Sequence, residues 1–212
     1  MQINWEIILS FVTAGTAIIA IIQTQRQIKI SNNQSLFEKR IEMYLVAKGL
    51  LQLYKENQHS LSCKGEGPYM AIEVDFTWLT NNSYLETITS AIDPPLKMPN
   101  HRNYLMKMEE LKVVATKIKF LFSGKEANRL SEYVLAYRNL LIQMYKYKIL
   151  LCKMHEASEQ YKWDFDYAAT NFKEPQQRNE LTSALNTLHQ AYKCIEMEKA
   201  EDKIVKQIKL IN

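Results

Sequence analysis

Between Glu6 and Arg26 the chain runs for 19 residues without a charge, and Ile, Leu, Val and Phe dominate it from Ile7 to Ile22. As a helix that stretch measures roughly 28 Å, close to the ~30 Å hydrocarbon core of a bilayer. A secretory signal peptide would open on positive charge and close on small residues. Here the start carries Glu6, and bulky Ile and Gln follow the apolar run. A buried core helix would have to hide an almost wholly apolar cylinder inside a chain of 212 residues. The run therefore predicts an N-terminal transmembrane helix over residues 1–25, with the Trp5 indole suited to the interface. Arg26, Lys29, Lys39 and Arg40 follow the span and no Lys or Arg precedes it. By the positive-inside rule the N-terminus lies outside and the C-terminal domain is cytoplasmic.

The span is not uniform around its circumference. At 100° per residue, Gln2, Glu6, Ser10, Thr13, Ala17, Ala20 and Thr24 fall on one narrow stripe, with Ala14 at its edge. Small and hydroxyl side chains let helices approach closely in lipid, where packing and interhelical hydrogen bonds drive association. One reading is a homo-oligomer held by this stripe. Another turns the stripe of several copies toward a shared wet axis, a pore with Glu6 at its outer mouth, where a ring of carboxylates selects cations. A third is a plain lipid-facing tether.

Residues 26–212 read as one all-α domain. Gly and Pro number five each, too few for a turn-rich β architecture. Leu36, Phe37, Ile41, Tyr44, Leu45, Leu51 and Tyr54 mark an apolar face from Ser35 onward. No Pro or Gly separates that helix from the span, and Ser31-Asn32-Asn33 is its weakest stretch. Residues 57–100 form a loop-rich insertion, with a short strand expected near Tyr69 to Asp75 and a short helix over Phe76 to Ile88. Longer helices are expected from His101 to Phe122, from Lys125 to Tyr161 and from Gln176 to Ile208. Ser123 and Glu126 fit a capping box between the first two. Steps of three and four over Leu130, Val134, Tyr137, Leu141, Met144 and Leu151, and over Leu181, Leu185, Leu188, Tyr192 and Ile195, indicate helix-on-helix packing. With the post-span helix this makes four long elements, enough for a helical bundle.

No catalytic or metal-ligating constellation stands out, and no cofactor is implied. Cys63, Cys152 and Cys194 are odd in number and widely spaced, which fits reduced, apolar cysteines. His59, His101, His155 and His189 form no HExxH and no finger spacing. Asp164-Phe165-Asp166 reads as a solvated turn between helices. The 27 Lys and Arg against 23 Asp and Glu are a mild excess that does not diagnose a nucleic-acid binder. Basic residues do interleave with aromatics, as in Lys117, Lys119 and Phe120, Arg129 and Tyr133, Tyr137 and Arg138, and Tyr145-Lys146-Tyr147-Lys148. On helices this pattern puts aromatic rings in the core and ammonium groups in water. It is also compatible with an electropositive groove for a nucleotide or single-stranded nucleic acid, for which Lys112, Lys117, Lys119, Arg129 and Arg138 are the candidates.

The anchor followed by Leu36-Phe37-Glu38-Lys39-Arg40 and Tyr44, together with Phe76, Leu79-Thr80-Asn81 and Tyr84-Leu85, resembles small single-span proteins of bacterial phage-defence loci. It is similar in layout to membrane effectors of the Hailong type. That resemblance implies a channel in the bacterial inner membrane, a tetramer, and a nucleic-acid ligand that keeps it closed. The expectation is thus an oligomeric membrane effector whose cytoplasmic domain gates an ion-conducting pore in abortive infection, and not an enzyme. The alternative is a membrane-tethered sensor or adaptor that conducts nothing.

Overall fold

The structure, a computed structural model, describes residues 5–61 and 67–209, without the side chains of 5–8. Cys63 and the Gly65-Glu66 part of the expected loop lie outside the described residues, as do Gln2 and the Glu6 side chain. Every regular element among the described residues is helical: α1 (Trp5–Asn57), α2 (Ile72–Thr80), a 3₁₀ helix (Glu86–Ala91), α3 (Asn100–Leu121), α4 (Gly124–Tyr161), α5 (Phe165–Asn171), α6 (Glu174–Glu198) and α7 (Ala200–Lys209).

α4 is the central element, packed between α3 and α6, while the C-terminal half of α1 leans on α3, α2 and α7. The heptad-like positions of α4, from Leu130 to Leu151, are all buried. On α1 the buried face is Met43, Ala47, Leu50, Leu51 and Tyr54. Phe37 and Leu45, expected on that face, are 40% and 60% exposed. Met43 to Ala47 to Leu50 to Tyr54 is a regular four-three-four pattern, and Leu45 lies about half a turn away from it. The helix also runs unbroken through Ser31-Asn32-Asn33.

Buried tyrosines lash these helices together. Tyr133 donates to Leu50 O at 2.9 Å, Tyr137 to Leu79 O at 2.6 Å, and Tyr104 to Leu141 O at 3.2 Å. Each joins two different helices, and each bond is worth about 1 kcal/mol net. Tyr145 accepts from the Leu96 N–H at 2.7 Å and is hydrogen-bonded to His101 Nδ1 at 2.8 Å, pinning the loop before α3. Tyr54 meets His189 Nδ1 at 2.8 Å across α1 and α6. The aromatics of the interleaved stretch on α4 are thus core residues, as helical spacing suggests.

The expected strand near Tyr69 to Asp75 is instead the entry to α2. Ile72, Phe76 and Leu79 are spaced four and three apart and all buried, a helical face that alternation would split. Glu73 and Asp75 sit in its first turn, where negative charge suits the helix dipole. The helix expected over Phe76 to Ile88 is divided, because the Asn82 side chain accepts the N–H groups of Tyr84 and Leu85 at 3.1 and 2.8 Å. That Asx turn ends α2 and leads into the 3₁₀ helix.

The expected capping box at Ser123 does not form. Ser123 occupies the N-cap of α4 but makes no side-chain cap bond. Its N–H donates instead to Gln207 Oε1 at 2.9 Å, and Gln207 Nε2 donates to Glu126 Oε1 at 3.0 Å. A glutamine from α7 has taken both ends of the box. The turn also needs Gly124, whose φ is +85° and where a Cβ would lie 2.8 Å from the Glu126 carboxylate.

The expected single helix to Ile208 is broken at Lys199, which takes φ 48° and ψ 43°. The alternation through Ile195 would next put Lys199 inside. A left-handed residue there shifts the register by one, so that Ala200, Ile204 and Ile208 become the buried face of α7.

Candidate functional site

The most unusual surface of the molecule is the N-terminal half of α1. The helix is 53 residues long, about 80 Å from end to end. From Leu9 to Asn32 every residue except Gly15 is exposed. Phe11 is 76% exposed, Leu9 69%, and Val12, Ile18, Ile19 and Ile21 between 56% and 59%, spread over about two-thirds of the helix circumference, with the small-residue stripe filling the rest. An apolar surface of that extent on a chain in water normally has a partner. Among the described residues no helix is long and apolar enough to cross a membrane. The apolar run of the sequence begins at Ile7 and Ile8, whose side chains fall outside that description.

The predicted stripe is present on the arm as a line of small side chains. Ser10, Thr13, Ala14 and Ala17 border a shallow hollow with Leu9, and Ala20 and Thr24 continue along the exposed surface. The Thr13 hydroxyl donates to Leu9 O at 2.8 Å and that of Thr24 to Ala20 O at 2.8 Å. These hydroxyls are satisfied within the helix, which makes the stripe smooth rather than polar. The Glu6 side chain, the expected mouth of a pore, lies outside the described residues.

Where the arm enters the bundle, three elements converge on Arg40. Its Nε donates to Leu121 O, the last residue of α3, at 2.7 Å, and its Nη1 to Gln207 O in the last turn of α7 at 3.0 Å. Both acceptors lie at helix C-termini, the negative end of the dipole, where a cation is favourable. The guanidinium also stands 5.7 Å from the Phe122 ring centroid. From sequence Arg40 was legible only as a flanking charge. Its position one turn before the buried Met43 is the signal that places it at the rim of the core.

One turn further along α1, Tyr44 donates to Glu201 of α7 at 2.9 Å, and Lys48 pairs with the same carboxylate. Burial, followed by the bond to Glu201, pushes the Tyr44 phenol well above its ordinary value. Beside these contacts the α6–α7 break opens a cleft of about 570 Å³ lined by Lys48, Lys55, Lys199, Glu56, Glu196, Glu201 and Asp202. Acids and bases both line it, so it presents no field of one sign.

The five predicted anion-binding residues do not share one groove. Lys112 faces Glu109 on its own helix at 3.8 Å. Lys117 borders a mainly apolar groove of about 470 Å³ between α1 and α3, with Glu42, Glu109 and Glu110 around it. Lys119 is exposed near the end of α3. Arg129 turns toward α6, where Glu198 lies at 3.0 Å, with Glu132 at 3.3 Å. Arg138 turns toward α3 and donates to Met108 O at 2.6 Å. The two arginines are thus held by protein groups on opposite flanks of α4.

Asp164, read as part of a solvated turn, caps α5 by accepting the Tyr167 N–H at 2.7 Å. Glu174, buried at the start of α6, accepts from the Tyr147 hydroxyl and faces Arg178 Nε at 3.4 Å. Tyr69, whose N–H donates to Tyr147 at 2.7 Å, also donates its hydroxyl to buried Asp75. This network fixes the start of α2 to α4 and α6. Among the described residues no group of three or more His, Cys, Asp or Glu is placed to hold a metal ion. Compared with known proteins, the chain matches no family model, no curated protein and no solved structure.

Proposed function

We propose that this protein is an oligomeric membrane effector, anchored by residues 1–25 with its bundle in the cytoplasm, whose assembled N-terminal helices conduct ions under control of the bundle. One observation carries the reading: α1 leaves the bundle as a continuous helix with large apolar side chains exposed around all of it but the small-residue stripe. Lipid covers such a surface at no cost in specific contacts. The unbroken helix makes the anchor and the core face of α1 one mechanical body. The Arg40 clamp ties that body to the ends of α3 and α7, so a shift of either helix by a bundle ligand is passed to the anchor. The smooth stripe from Ser10 to Thr24 is the surface along which copies pack. The setting in abortive infection, the tetramer and a nucleotide or nucleic-acid regulator rest on the resemblance to Hailong-type effectors.

Ion flux through liposomes holding the purified full-length protein tests this reading. Flux is expected, and Thr13→Leu with Ala17→Leu, which fills the stripe, should abolish it while leaving membrane insertion intact. Liposomes that stay tight under all conditions, with the protein inserted, would establish a tethered sensor or adaptor in its place.

A further inference from the structure

The end of the bundle from which the arm emerges carries more bases than acids. The Arg40 clamp gathers the C-termini of α3 and α7 and the first turn of α4 around the root of α1. On this end stand Lys39, Lys117, Lys119, Lys125, Lys206 and Lys209, all exposed. None of the six makes an ion pair among the described residues. Glu38, Glu42, Glu126 and Asp202 are the acids within four residues of them in sequence; Glu126 is engaged by Gln207, and Glu42, Glu109 and Glu110 line the groove that Lys117 borders. On the same end Phe120 is 86% exposed, on the last turn of α3. A large aromatic side chain so bare, on the same end of the bundle as lysines without ion pairs, has the composition of an interfacial membrane contact.

We propose that this end of the bundle docks on anionic lipid headgroups, with the lysines on the phosphates and Phe120 inserted between them. The inference rests on the membrane reading of the arm, because the arm fixes which end of the bundle faces the bilayer. Geometry makes the contact conditional. From Ile22, the last apolar residue of the run, to Leu36, where α1 meets the bundle, is about 21 Å of helix. The headgroup layer takes up ~5–8 Å of that. An upright α1 holds the patch ~14 Å above the headgroups, beyond the ~8 Å over which charge acts at physiological salt. A leaning α1 brings it down. Lipid charge therefore sets the tilt of the anchor, since α1 and the bundle move as one piece.

The test uses the full chain with Cys63, Cys152 and Cys194 changed to serine and a polarity-sensitive fluorophore on Phe120→Cys. The protein is reconstituted in vesicles of phosphatidylcholine alone or mixed with phosphatidylglycerol. The expected result is emission shifted to shorter wavelength in the anionic vesicles only. High salt should reverse the shift, and Lys117→Gln, Lys119→Gln, Lys206→Gln and Lys209→Gln together should lose it, with helix content by circular dichroism unchanged. The same emission in both vesicles, with the protein still floating with them, overturns the patch and leaves the anchor standing. Failure to float with either vesicle removes the anchor and this inference together. A response to single-stranded oligonucleotide in detergent, without one to anionic vesicles, overturns lipid in favour of nucleic acid.

Discussion

The two halves of α1 carry similar side chains in opposite surroundings. Ile18 and Ile19 are more than half exposed, whereas Leu50 and Leu51 are at most 5% exposed. No break separates them, since both sit within one continuous helix. What differs is pattern. Around Leu50 the apolar residues keep to one side, and polar Lys48, Gln52 and Lys55 leave the other to water. Around Ile18 large apolar residues cover all of the circumference but the small-residue stripe, so no single neighbouring helix could bury them. A helix apolar on one stripe asks for a protein partner; one apolar all round asks for a solvent.

The sharpest way to break this comparison is to make the same kind of cut in both regions. Leu188→Ala, in the fully buried face of α6, should destabilise the bundle by about 2–5 kcal/mol, the range for a core leucine. Ile19→Ala on the arm should leave bundle stability within ~0.5 kcal/mol. Urea titration of the detergent-solubilised full chain reads both. An Ile19→Ala variant as unstable as Leu188→Ala would mean that the arm packs on the bundle.

The joint between the halves is the next point of attack. Arg40→Met keeps the length of the side chain and removes its donors, leaving Leu121 O and Gln207 O without their partner. A loss of about 1–2 kcal/mol is expected, read by the same titration. Faster hydrogen exchange should be confined to the last turn of α3 and to α7. Uniformly faster exchange across α4 and α6 would show that the clamp supports the whole bundle rather than its rim.

How far the sequence revealed this molecule follows the same division. The long helices were legible because their apolar steps of three and four extend over many turns, and the arm because its composition is extreme. The breaks were not. Lys199 has no local signal for a left-handed turn, and only the out-of-step spacing from Ile195 to Ala200 hints at it. Ser123 and Glu126 had the right residues for a capping box, but Gln207, 84 positions away from Ser123, competes for the same groups. The candidate anion site failed to assemble for a related reason. Charge positions on α3 and α4 can be counted in sequence, but which flank of α4 receives Glu198 is decided by how α6 packs.

Inside the bundle, the Tyr69–Asp75 contact offers a pH-dependent comparison. Burial raises the Asp75 carboxyl above its ordinary 3.8, and the hydrogen bond from Tyr69 lowers it by less. A folded-state value above the unfolded one means that the folded protein binds more protons, so stability falls as pH rises through that window. Asp75→Asn keeps an acceptor for Tyr69 and removes the charge. It should match the wild type near pH 3.8 and below, and be the more stable of the two at neutral pH. Thermal melts across pH check this. A wild type that outlasts Asp75→Asn at neutral pH would show the ionised carboxylate to be stabilising.

The smallest expected effect lies at the α6–α7 break. A left-handed backbone costs an ordinary residue about 1–2 kcal/mol, and Lys199 meets that cost so that Ile204 and Ile208 can face the core. Glycine adopts the conformation freely, but loses more backbone freedom on folding, by roughly 0.5–1 kcal/mol. Lys199→Gly should therefore stabilise by only about 0.5–1 kcal/mol, the difference of those two terms. Lys199→Pro is the contrasting variant, because its φ is fixed near −65° and cannot follow the +48° of the native turn. It should detach α7 and with it Gln207 from the Arg40 clamp. If Lys199→Pro left the exchange of α7 amides unchanged, the break would be a passive bend, and α7 would be held by its apolar face alone.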